Sequence, residues 1–192
     1  MNDTSTVTIL TDSMMSGKES FADNPPKEIL WNSWQYKILK NIYNGVYNAE
    51  IIWCYNEKYG KVGKSVLEKQ IVKYYGAQKY HRELRSLGRM LDELKEQDQF
   101  VRAIIVKLPY TIEMSCRVHT IDAIKDIEDY IRCIIAQKTK HPVVIFLAPR
   151  VASKVLGIDF DSTFELLALR EISLPIFADS LPAEELIHHY ET

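Results

Sequence analysis

Gly60-Lys61-Val62-Gly63-Lys64-Ser65 is the run whose residue types and order suit chemistry on a phosphate. Glycines permit a tight turn in which successive backbone N–H groups point at phosphate oxygens. Helix-forming sequence follows, so the N-terminus of a helix would add partial positive charge. The Lys64 ammonium would reach terminal phosphates, and the Ser65 hydroxyl would hold Mg²⁺. ATP with Mg²⁺ is the ligand this chemistry fits. The full motif asks for a glycine five positions before Gly63, where the chain has Lys58; Gly60 stands inside the loop instead. An ordinary turn before a helix is the alternative. The β-rich run Ile51-Ile52-Trp53-Cys54-Tyr55 just before it favours a strand, a phosphate loop and a helix.

Other chemistry-bearing residues form no comparable pattern. His81, His119, His141 and the pair His188-His189 have no metal-ligand spacing with the cysteines. Asp159, Asp161 and Glu165 lack the glycine and the remaining ligands of a calcium loop. Cys54, Cys116 and Cys133 are an odd, scattered set, expected to be reduced and buried. No Gly-x-Ser-x-Gly nucleophile motif occurs.

The elements that must position the loop follow from periodicity. Residues 1–26 are polar and end at Pro25-Pro26, which predicts a flexible leader before a domain over 27–192. Trp31, Trp34, Ile38 and Ile42 recur at spacings of three and four, a helix over 32–43 ended by Asn44-Gly45. Its tryptophans are expected in the core. After the loop, Val66, Leu67, Ile71, Val72 and Tyr75 face inward on a helix over 64–75 that Gly76 closes. A second helix is predicted over 81–97, with Leu84, Leu87, Leu91 and Leu94 on one face. A third is predicted over 120–138, with isoleucines inward and Asp122, Asp126, Glu128 and Asp129 outward. The apolar runs 100–108 and 142–147 read as strands covered on both faces. Strands alternating with amphipathic helices imply an α/β, three-layer, P-loop NTPase-like fold with a mainly parallel sheet and the loop at its carboxyl edge.

Composition sets outer limits. With 192 residues and 46% hydrophobic content, the chain can bury one good core. A net charge of -2 gives no global attraction to nucleic acid, so any such binding needs a local basic patch. Arg82, Arg85 and Arg89 are spaced to share one face of the helix expected over 81–97, and Lys138 and Lys140 lie in a separate loop. No apolar stretch approaches the roughly 18 residues of a membrane helix, and no signal sequence leads the chain. A soluble, intracellular protein is expected, with no membrane partner.

Taken in order, Trp34-Gln35 in a leading helix, Ile-Ile-Trp-Cys-Tyr with Gly-Lys-Val-Gly-Lys-Ser, Ala-Ile-Ile-Val-Lys-Leu-Pro, a helix with Ala-Ile-Lys-Asp, and Pro-Val-Val-Ile-Phe resemble one family. It is the superfamily 3 helicase domain of replication-initiator (Rep) proteins of small circular single-stranded DNA viruses and satellites. The resemblance spans about residues 31–172. It implies a P-loop ATPase that binds ATP and Mg²⁺ through Gly60, Val62, Gly63, Lys64 and Ser65. It also implies assembly into a ring, usually of six subunits, translocation on single-stranded nucleic acid, and a place in the nucleus or cytoplasm of a host cell. The family's nickase domain would precede residue 1.

Two departures bear on activity. The family's second motif ends its strand in an acidic residue, and the matching residue is Lys107. That carboxylate would help hold Mg²⁺ and place the attacking water; a lysine instead adds positive charge beside the phosphates. The third motif should supply an asparagine after the Pro-Val-Val-Ile-Phe strand, where Leu147-Ala148-Pro149 stands, so Ala148 takes the place of the γ-phosphate sensor. Arg150 is the candidate arginine finger. Two readings follow: a diverged ATP-dependent helicase-type ATPase, or a degenerate helicase-fold module that acts in protein or nucleic-acid interaction. Lys107 favours the second, and the intact Gly63-Lys64-Ser65 the first.

Overall fold

The computed structural model describes residues 5–45, 51–55, 62–82, 86–107, 117–136, 142–147 and 176–187, with 169, 171 and 173 beside them. Thr6-Val7-Thr8-Ile9-Leu10-Thr11 is almost wholly β-branched, which suits a pleated, covered strand, and it forms β1 (Ser5–Thr11). This corrects the flexible leader expected over residues 1–26. β1 lies inside the sheet, antiparallel to β3 (Gln78–Arg82) on one side and to β4 (Val101–Lys107) on the other. The polar average of the segment concealed a short strand. After α1 (Asp12–Met15), Phe21 and Ala22 are buried as well, and the Phe21 ring meets Trp31 edge-on at 5.1 Å.

The remaining elements are α2 (Ser33–Asn44), β2 (Ile51–Tyr55), α3 (Lys64–Tyr75), α4 (Leu87–Glu96), α5 (Arg117–Ala136), β5 (Val143–Leu147) and β6 (Ile176–Phe177). The sheet runs β3-β1-β4-β5-β2-β6. β4, β5, β2 and β6 are parallel, whereas both pairings of β1 are antiparallel, so this α/β fold is built on a mixed sheet. Alternation divides the core. Ile52, Cys54, Ile105, Ile145 and Leu147 pack with α2 and α3; Trp53, Ile104, Val106, Val144 and Phe146 pack with α4 and α5. Helices therefore cover both faces, as the continuous apolar runs of β4 and β5 require.

Three local expectations are revised. Gln78–Arg82 pairs with β1 instead of extending α4, so Arg82 lies on a strand and shares no helix face with Arg89. On α3, Val66 is 38% exposed and Glu68 lies inward, only 2% exposed. Glu128 on α5, expected outward, is fully buried. Its Oε1 accepts from Trp53 Nε1 at 2.6 Å and from the Ser173 backbone N–H at 3.1 Å, and Arg132 Nη2 lies 3.5 Å from Oε2. A carboxylate can be buried when donors surround it in this way. The Trp53 ring also stacks on Phe146 at 4.3 Å, which fixes β2 from beneath. No helix among the described residues is long and apolar enough to cross a membrane.

Candidate functional site

Strand register assembles the site. Thr6 pairs with both His81 and Lys107, Lys107 with Leu147, and Leu147 with Cys54. Paired residues share a face of the sheet, so these residues make one row across the carboxyl end of the parallel strands. Cys54 and Leu147 lie in the core beneath α2 and α3, which places the row on that side. Two strand spacings, about 10 Å, separate β4 from β2. The first turn of α3 reaches the end of β4, where Ser65 meets Lys107.

Gly63 caps α3 with φ +86°, a left-handed conformation that glycine adopts without a steric cost. Its carbonyl accepts the first helical bond from Leu67 N–H at 3.0 Å. The start of α2 holds this turn. Asn32 Nδ2 and Trp34 Nε1 each donate to the Val62 carbonyl at 3.0 Å, and Gln35 Nε2 donates to the Gly63 carbonyl at 2.8 Å. Gln35 is itself fixed, because its Oε1 accepts from the Asn32 backbone N–H at 2.8 Å, the return arm of a capping box. Trp31 and Trp34 are buried core residues, and the Trp34 indole N–H serves the loop.

Lys64 opens α3 above the row. Burial pushes its ammonium down to about 8, with Cys54 opposing that shift. Burial likewise pushes the Cys54 thiol up to about 12, so it stays protonated at neutral pH and is no nucleophile. One residue on, Ser65 Oγ accepts from Lys107 Nζ at 2.9 Å. Lys107 Nζ also lies 3.9 Å from Glu68 Oε2. Lys79 on β3 brings its Nζ 2.9 Å from Glu68 Oε1, an ion pair without hydrogen-bond alignment at that oxygen. Among the described residues, Lys79 and Lys107 bring two ammonium groups to the Glu68 carboxylate, and Lys64 adds a third cation at the start of the same helix. Cations beside a helix N-terminus favour an anion there.

No protein-family model, curated protein or solved structure matches the chain.

The same geometry bears on Mg²⁺. The ion demands near-octahedral oxygen ligands at about 2.0–2.1 Å, but the Ser65 hydroxyl faces an ammonium and Glu68 is already claimed by two lysines. No group of three His, Cys, Asp or Glu able to hold a metal occurs among the described residues. The residues present therefore do not fit Mg²⁺ at Ser65.

Of the other sites expected from sequence, Gly60, Arg85, Ala148 and Arg150 lie outside the described residues, as do Asp159, Asp161, Glu165, Lys138 and Lys140. Arg89 is exposed and pairs with Glu93 at 3.2 Å. Arg82 ends β3 at the edge of the sheet that carries Lys107, so the arginine cluster expected on one helix is split between two elements. Cys133, expected buried, is exposed on α5. Sequence reasoning missed Glu68, Lys79 and the role of Asn32 and Gln35. Glu68 had a signal, since it precedes Ile71 by three positions and adjoins Leu67, both on the inward stripe of α3. Asn32-x-x-Gln35 before an apolar helix was likewise a readable capping box.

Proposed function

We propose that the chain is a diverged P-loop domain of the Rep helicase kind that binds the phosphates of a nucleotide such as ATP and does not hydrolyse it. The strand–turn–helix at the carboxyl edge of parallel strands, with helices on both sheet faces, supports a three-layer P-loop NTPase-like reading of the fold. One observation carries the functional part. Lys107, at the position where the family's acid would stand, donates to Ser65 at 2.9 Å, so a cation lies beside the first turn of α3. Hydrolysis in P-loop enzymes needs a group that helps hold the metal and orients water. An ammonium accepts no proton and coordinates no metal, whereas it neutralises phosphate charge directly.

Titration calorimetry with ATP tests this reading. Wild type binds and Lys64→Ala does not, while phosphate release stays far below helicase-like rates of about 1 s⁻¹. Equal absence of heat from both proteins at millimolar nucleotide would reduce the loop to a structural turn. Ring assembly and single-stranded nucleic acid as a partner belong to the same proposal. They are checked by sedimentation with and without nucleotide and by titration of single strands at low and high salt, where affinity should fall steeply as salt rises.

A further inference from the structure

We propose that residues 176–187 act as a latch on the start of α2: closed, they hold the turn at Val62–Gly63 in place, and when they open locally that turn is released with the sheet intact. The inference is independent of phosphate binding. It rests on a continuous set of contacts. Asn32, Trp34 and Gln35 hold the Val62 and Gly63 carbonyls through their side chains. The backbone of the same stretch is held in turn by residues 181–183. Ala183 N–H donates to the Trp31 carbonyl at 2.9 Å, Ser33 N–H donates to the Leu181 carbonyl at 2.9 Å, and Asn32 and Pro182 form an antiparallel bridge. Ser33 opens α2, where the first N–H groups have no partner within the helix, so the Leu181 carbonyl supplies one from outside. The latch begins as β6, which pairs with β2 at Cys54 and Tyr55. It therefore joins the end of β2 to the first turn of α2.

The latch is also the attachment that opens at least cost. β6 is two residues long. Ala178, Ala183 and Leu186 are buried in the core shared by α2 and α3, and two of these three side chains are single methyl groups. Leu181 and Ile187 are 63% and 42% exposed. Backbone held by a few bonds and little apolar surface opens before strands covered on both faces, such as β4 and β5. Once the latch is open, the Trp31 carbonyl and the Ser33 N–H lose their partners, and the side chains that hold Val62 and Gly63 lose the backbone that aims them.

Native-state hydrogen exchange, followed by NMR in rising urea below the unfolding transition, tests this on the unmodified protein. The Ser33 and Ala183 amides report the latch, and the Trp34 indole N–H, which donates to the Val62 carbonyl, reports the turn. All three should exchange through one shared opening that the amides of β4 and β5 do not join. Exchange of the Trp34 indole through a separate opening, or of all three only with β4 and β5, would overturn the proposal. Ala183→Pro supplies a second measurement. Ala183 has φ −69°, which proline adopts without strain, so the substitution removes the N–H and leaves the buried Trp31 carbonyl without its donor. Exchange at the Ser33 amide and the Trp34 indole should accelerate by the same factor, about tenfold. Acceleration at Ser33 alone, or at neither, would overturn the proposal as well. The wild-type exchange decides the matter even if Ala183→Pro fails to fold.

Discussion

Replacing Gly63 with alanine puts a number on how firmly α2 holds the loop. Gly63 has φ +86°, where any residue with a Cβ is strained by about 1–2 kcal/mol. A Cβ there would overlap Gln35 Nε2 and lie 3.1 Å from Gln35 Cδ, so the Gln35 side chain must leave. Its departure breaks the bonds to the Gly63 carbonyl and the Asn32 N–H, both made by a side chain only 1% exposed. Two such bonds contribute about 1–3 kcal/mol together. Gly63→Ala should therefore lose about 2–5 kcal/mol, a large share of the 5–15 kcal/mol typical of a domain. Gly76 supplies the control, because it closes α3 at φ +69° with nothing within 4 Å of an added Cβ. Gly76→Ala should lose only the backbone part, about 1–2 kcal/mol. Urea denaturation of both variants gives the difference, expected at about 1–3 kcal/mol. Equal losses would mean that Gln35 does not brace the loop, and the argument from α2 would fail.

Phosphate affinity should fall as pH rises through about 8, because Lys64 is charged below that value and neutral above it. Folding stability should move the other way, rising between pH 8 and the ordinary lysine value of 10.5 as the unfolded chain holds the proton more tightly. Calorimetry at several pH values in buffers of different ionisation enthalpy would show proton uptake on binding above pH 8, and a flat profile from pH 7 to 9.5 would refute the assignment. Glu68→Gln should strengthen triphosphate binding severalfold by removing the carboxylate between Lys79 and Lys107. The same variant should lose stability by about 1–3 kcal/mol, so weaker binding by a folded Glu68→Gln would contradict the charge argument. Glu128→Ala strands the Trp53 indole N–H in the core and removes the partner of the half-buried Ser173 N–H, and should cost about 3 kcal/mol. A thermal melt within one or two degrees of wild type would show that the pair is replaceable.

What could be read in the sequence was local. Gly63 and Gly76 frame α3, whose observed bounds Lys64–Tyr75 coincide with the apolar spacing, and the buried runs of β4 and β5 announce themselves without a partner. What could not be read was pairing across the chain. Arg82, Arg85 and Arg89 have the spacing of a helix face, yet the edge offered by β1 draws residues 78–82 into a strand. β1 itself was obscured by its polar neighbours, because a short strand carries little weight in a segment judged by average composition. Glu68 and Glu128 were assigned to solvent or overlooked on charge alone. Their burial depends on partners 11 or more positions away for Glu68 and on Trp53 for Glu128, none of which periodicity can supply.

The same dependence on distant partners governs the surroundings of Lys107. Glu68 sits one helical turn beyond Ser65, facing the end of β4, and its carboxylate is tolerated in the core because two lysines from two strands reach it. An aspartate in place of Lys107 would set two carboxylates at close range with Lys79 alone to balance them. Repulsion of that kind raises the pKa of one partner until it carries a proton, and a protonated acid is a poor metal ligand. An acid at position 107 that could hold a metal would therefore require a second change at Glu68, since the charges of α3 and β4 are set jointly. The insertion of β1 matters here too, because pairing with Thr6 fixes β4 on the side away from the loop and keeps the end of the strand in register with Leu147 and Cys54. The cation beside Ser65 thus follows from the whole carboxyl edge of the sheet, and an ammonium there suits the proposed holding of an anion better than the activation of water.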